Sequence, residues 1–157
     1  MKRRKFIVVN IAKKNTQPNI INLQSERGCR DMEDKSLNIL ICDDSILSRR
    51  QMKNMLTSIT NCNIIEAENG EVAVQKYKKN KIDIVFLDLV MPVKDGITTA
   101  TELKEYDSDV YMIVVSSVGT QQSIKKALSA GVKDFVQKPI DKTQLMRIVD
   151  AFLDGRN

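Results

Sequence analysis

The chain has 157 residues, 42% hydrophobic and 29% charged, with no histidine and a net charge of +5. That composition suits one globular domain of ~150 residues, able to bury ~70% of its unfolded surface, and excludes a fibrous or wholly disordered chain. No imidazole means no Ser-His-Asp or Cys-His nucleophile pair and no histidine-bound metal. Cys29, Cys42 and Cys62 show no CxxC spacing, which speaks against a disulfide framework or zinc site and for a reducing cytoplasm.

In chain order, the charge divides first. Residues 1–31 hold eight basic side chains against two acidic ones, a net of +6, whereas residues 32–157 hold 17 against 18, a net of −1. The basicity belongs to the N-terminal stretch, so net charge says little about what the rest of the chain binds. Over residues 1–36, Asn, Gln, Pro and Lys break any hydrophobic period, and a basic, disordered extension is expected. Lys2-Arg3-Arg4-Lys5 could touch nucleic acid or anionic lipid, since phosphate neutralisation needs only clustered charge, but a plain extension is the preferred reading. No run approaches the ~18 apolar residues of a membrane span. Phe6 to Val9 is too short for a signal peptide. A soluble cytoplasmic protein is expected.

From Leu37 onward, short apolar runs alternate with helix-period segments. The runs are Ile39–Cys42, Asn63–Ile65, Ile84–Leu87, Met112–Val115 and Phe135–Val136. The first, third and fourth are continuous, as central parallel strands covered on both faces require. Between the first two runs, Met52, Met55, Leu56 and Ile59 form a helical stripe, with Arg49, Arg50 and Lys53 placed off it. Ser45 is the expected N-cap of that helix. Gly70 opens the second helix and Asp95-Gly96 the third. Gly131 stops the helix holding Ile124, Ala127 and Leu128. Leu145, Ile148, Val149 and Phe152 stripe the last helix. Repeated strand-helix units predict an α/β fold with a parallel sheet.

In such folds the chemistry collects beyond the carboxyl ends of the strands, at a topological switch point. Asp43 and Asp44 follow the first run, Asp88 the third, Ser116 and Ser117 the fourth, and Lys138-Pro139 the fifth. Singly, each is an ordinary cap, turn or loop residue; together they put three carboxylates, a hydroxyl and an ammonium on one edge. Clustered carboxylates repel unless a cation joins them. A hard divalent ion, magnesium, is the expected cofactor, because this edge offers too few oxygens for calcium. One carboxylate could then act as nucleophile toward phosphorus, with positive charge on the equatorial oxygens.

The order Asp43-Asp44-Ser45, then Asp88-Leu89-Val90-Met91-Pro92 with Asp95-Gly96, then Ser116, then Lys138-Pro139, resembles the receiver domain of two-component response regulators. The resemblance runs over residues 37–154, and Ala67-Glu68-Asn69-Gly70 and Ala130-Gly131 are similar to two of the family's loops. With nothing recognisable after Asp154, it looks like the stand-alone, chemotaxis-type form, without a DNA-binding domain and monomeric. The resemblance implies a doubly wound, flavodoxin-like, five-stranded parallel sheet of order 2-1-3-4-5. It implies Asp88 as phosphoacceptor, charged by a sensor histidine kinase or phosphotransfer protein. It further implies Mg2+ on Asp44, Asp88 and the Val90 carbonyl, with Asp43 acting through water. Lys138 would contact the phosphoryl group, with a cis peptide before Pro139. Ser116 and Phe135 would act as switch residues and reshape the face of the fourth helix, fifth strand and fifth helix for a downstream protein.

Three positions depart from that pattern. Phe135 replaces the usual tyrosine, Ser117 the usual alanine, and Val90 and Val118 put apolar groups where polar ones could orient a hydrolytic water. A long-lived aspartyl phosphate is the expectation. The rival enzyme reading is a phosphohydrolase of haloacid-dehalogenase type, which wants a second Asp two positions after the first, where Val90 stands. A nucleotide-binding module lacks its glycine-rich loop here.

Overall fold

The computed structural model describes residues 36–155. The extension expected over residues 1–36 thus lies, but for Ser36, outside the described residues. The elements are β1 (Leu37–Cys42), α1 (Ile46–Thr57), β2 (Cys62–Ala67), α2 (Gly70–Lys79), β3 (Ile84–Leu87), α3 (Gly96–Tyr106), β4 (Met112–Ser116), α4 (Gln121–Ser129), β5 (Asp134–Gln137) and α5 (Lys142–Asp154). The strands are parallel in the order β2-β1-β3-β4-β5. The expected doubly wound, flavodoxin-like sheet is therefore present, with the three continuous runs as its central strands.

Strand side chains alternate between faces, so continuous apolar runs feed two cores. Leu40, Cys42, Val85, Leu87, Met112 and Val114 pack with helix residues such as Val74, Leu103 and Ala127 from α2, α3 and α4. Ile39, Ile41, Ile84, Phe86, Ile113 and Val115 pack with Met52, Leu56, Leu145, Ile148 and Phe152 from α1 and α5. The chain leaves β1 outward to β2 and returns across it to β3. The loops after β1 and β3 therefore diverge to opposite faces and leave a crevice at their carboxyl ends.

Each helix opens on a side-chain cap. Ser45, Asn69, Asp95, Thr120 and Asp141 accept the backbone N–H of the residue three further on, satisfying a donor the helix leaves orphaned. Gly131, at φ +92°, follows the α4 cap as expected. Two stripes differ from expectation. α1 ends at Thr57, before Ile59, and Arg49, placed off the stripe, is buried. In α4 only Ala127 is buried, while Leu128 is 51% exposed. That helix packs chiefly against α3 and β5, at the margin of the sheet, so it needs a narrower apolar face. No described helix is long and apolar enough to cross a membrane.

The loop between β3 and α3 holds a strained residue. Val93 has φ +68° and is 83% exposed, so a β-branched side chain sits in the left-handed region with little packing in return. Val93→Asn keeps the backbone in a conformation asparagine tolerates. It is expected to raise stability by ~1 kcal/mol, read as a higher urea midpoint at unchanged slope.

Candidate functional site

The crevice gathers residues from β1, β3, β4 and β5. Main-chain bonds set its floor: the Asp88 N–H donates to Cys42 O at 2.9 Å, and the Asp43 N–H to Ala67 O at 3.1 Å. The Cys42 thiol below is pushed up to about 12 by burial, with the Asp43 and Asp88 charges adding to the effect. It is an inert part of the core, not a nucleophile. Gly96 lets α3 start close by, because a Cβ there would lie 2.1 Å from the Asp88 carbonyl oxygen.

Asp43, Asp44 and Asp88 bring one carboxylate oxygen each to within 4.8 Å of one another. Asp43 and Asp88 are buried, Asp44 exposed. Asp43 Oδ1 accepts the Ser45 N–H at 2.8 Å, and Asp88 Oδ1 accepts the Val90 N–H at 3.2 Å. Lys138 Nζ bridges the remaining oxygens, 2.5 Å from Asp43 Oδ2 and 2.7 Å from Asp88 Oδ2. Burial pulls the Lys138 ammonium down, but its hydrogen bonds to Asp43 and Asp88 outweigh this, and its pKa lies above the usual lysine value. Lys138 follows β5 directly, and its bond to Pro139 is cis.

Three carboxylates thus face one ammonium, and Asp44 takes no share of it. That surplus of negative charge, made of hard oxygen donors, fits a divalent cation such as magnesium. Ser116 ends β4 and is buried; its Oγ accepts the Val118 N–H at 3.3 Å, which leaves the hydroxyl proton to donate. Phe135 is half-buried against the core on the α2, α3 and α4 side of the sheet. A groove of about 310 Å3 beside α1, lined by Ser48, Met52, Ser117, Lys138 and Pro139 among others, leads to Lys138 from outside. Val90 and Val118 flank the site, 61% and 43% exposed.

The one charged side chain here that the sequence reading passed over is Arg49, whose Nη1 donates to the Asp43 carbonyl at 2.6 Å. Helical spacing could have found it. Arg49 stands three residues before Met52 and seven before Leu56, on the face those two bury.

A model of the response regulator receiver domain matches residues 39–150. The chemotaxis protein CheY of Bacillus subtilis is 37% identical over 116 residues, 74% of this chain and 97% of that protein. CheY of Thermotoga maritima is 39% identical over 113 residues, 72% of this chain and 92% of the other. Among solved structures, a chain of the Borrelia burgdorferi CheX-CheY complex with BeF3 and magnesium aligns with a TM-score of 0.70 at 39% identity. That alignment covers 74% of this chain and 89% of the other. A two-component response regulator from Clostridium difficile aligns with a TM-score of 0.73 at 28% identity, covering 78% and 99%.

Proposed function

The chain belongs to the response regulator receiver family, and from that premise we propose that it accepts a phosphoryl group on Asp88 from a phosphohistidine of a sensor kinase or phosphotransfer protein. The observation that carries this is the trio of carboxylates within 4.8 Å, two of them bridged by Lys138. Receiver domains of this kind are signalling domains, and the chemistry is confined to gaining and losing that one group. In the acceptance step an Asp88 oxygen bonds to phosphorus as the bond from phosphorus to the donor imidazole nitrogen breaks. The bonding electron pair leaves with the imidazole. The histidine absent from this chain is the group the partner supplies, and both proteins act in the cytoplasm.

Asp44, Asp88 and the Val90 carbonyl would hold magnesium, with Asp43 beside them as a further carboxylate of the cluster. When bound, the ion supplies positive charge to the transferring oxygens. Lys138 exchanges its bond to Asp88 for one to a phosphoryl oxygen, and Ser116 turns its hydroxyl proton toward another. These new bonds exist in one state only, so they shift the population toward it. Phe135 follows Ser116 inward, and the face of α4, β5 and α5 changes for a downstream protein in chemotaxis-like signalling. Support comes from the exposed Leu128 on α4 and Met146 on α5, apolar groups available to a partner. Incubation with a small acyl phosphate and magnesium is expected to add one phosphoryl group per chain, read as intact mass. With EDTA in place of magnesium, uptake is expected to fall to background; unaltered uptake would contradict the metal's role.

The exposed Val90 and Val118 leave no polar side chain at those two positions to hold an attacking water, so the aspartyl phosphate is expected to persist. Val90→Asn supplies an amide there. Its phosphate is expected to decay about fivefold faster, a change of ~1 kcal/mol in barrier. An equal or slower decay in a time course of intact mass would sink the idea.

A further inference from the structure

Asp43 and Asp44 are neighbours in sequence but differ in how they are held. Each polar group of Asp43 is engaged. Its N–H donates to Ala67 O, its carbonyl accepts from Arg49, and its two carboxylate oxygens accept from Ser45 and Lys138. The Asp44 side chain is exposed and has no hydrogen-bond or ion-pair partner among the described residues. Its direction therefore depends on the backbone that carries it.

That backbone is held by the bonds from the Asp43 N–H to Ala67 O and from the Ser45 N–H to Asp43 Oδ1, and by a side-chain grip on the Asp43 carbonyl. The Asp43 carbonyl oxygen lies in the rigid peptide plane joining Asp43 to Asp44. Holding the oxygen restrains rotation of the plane, and so the direction of the Cα–Cβ bond of Asp44. Arg49 Nη1 holds it at 2.6 Å, buried. The guanidinium is braced in turn, since its Nε donates to Glu66 Oε2 at 3.2 Å across the gap from α1 to β2. Glu66 is itself pinned from both sides of the sheet. Lys53 of α1 reaches its Oε1 at 3.2 Å, and Lys76 of α2 donates to its main-chain carbonyl at 2.5 Å.

We infer that Arg49 is a positioning residue for magnesium binding: by clamping the Asp43–Asp44 peptide to Glu66 on β2, it aims the otherwise untethered Asp44 carboxylate into the crevice. This rests on the reading of Asp44 as a metal ligand. Position and charge make opposite predictions. Arg49 is a cation beside a cation site, so deleting its charge alone would tighten magnesium binding. Deleting its grip on the peptide weakens binding, as loss of a ligand-orienting partner does.

Isothermal titration calorimetry of magnesium chloride into the full chain separates the two. Wild type is expected to bind one ion, and Arg49→Met to bind it about tenfold more weakly. Arg49→Lys is expected to fall between, because an ammonium can meet the carbonyl but cannot also brace on Glu66 as the planar fork does. Should Arg49→Met not fold, Glu66→Gln, which loosens the brace and leaves the guanidinium in place, is expected to weaken binding about threefold. A second readout separates positioning from general damage. At saturating magnesium, phosphoryl uptake by folded Arg49→Met is expected to return to the wild-type rate. Unchanged or tighter binding in Arg49→Met, or in Glu66→Gln if that variant has to stand in, would overturn the inference; so would uptake that magnesium cannot restore. If the wild type itself binds no magnesium, the reading of the crevice fails and this inference goes with it.

Discussion

Lys138→Met is expected to lower phosphoryl uptake from a small acyl phosphate about 100-fold at saturating magnesium, while magnesium binding becomes several-fold tighter. Both effects follow from where Nζ sits. It lies within hydrogen-bond distance of Asp43 and Asp88, and its raised pKa keeps it charged at neutral pH. An ammonium there neutralises part of the carboxylate charge that would otherwise attract a divalent ion. Methionine keeps a similar length and leaves that charge uncompensated, so metal affinity rises. Transfer suffers because the developing charge on the phosphoryl oxygens loses its pre-placed cation, which in a half-buried site is worth far more than in water. Uptake rate against magnesium concentration, followed by mass, gives both quantities. A variant that lost metal affinity and uptake together would make Lys138 a structural strut and not a phosphoryl contact.

Much of this site was legible before any coordinates because of how parallel sheets are built. Asp43, Asp44, Asp88, Ser116 and Lys138 each follow or end an apolar run, and parallel strands put all those ends on one edge. The central strands were legible for a related reason: two-sided burial demands unbroken runs such as Ile84–Leu87. Strand ends were harder. β1 starts two residues before Ile39, and there Asn38 breaks the apolar run yet pairs through its N–H with Asp83 Oδ2 at 2.9 Å. β2 runs on through Glu66, a charged residue that only its pairing with Arg49 and Lys53 explains.

Other features were hidden because they depend on tertiary neighbours. Which carboxylates Lys138 would bridge could not be read from spacing, since Asp43, Asp88 and Lys138 follow β1, β3 and β5, strands brought together by sheet order alone. Arg49 was set aside because its charge outweighed its position on the α1 stripe. The structure buries it where a carbonyl and a carboxylate receive it, so position prevailed. Leu128 misled in the opposite sense, as an apolar residue at helical spacing that stays exposed on α4.

The proposed signalling role turns on Asp88 as the single acceptor. Its carboxylate is buried beside Lys138 and between residues that fit a magnesium site. Asparagine has nearly the same shape but a neutral amide in place of the anionic oxygens, and so lacks the nucleophile. The direct measurement is intact mass of wild type and Asp88→Asn after incubation with a small acyl phosphate and magnesium. The expected result is one added phosphoryl group on the wild type and none on the folded variant. Equal gain by both, or gain by neither, would contradict the assignment.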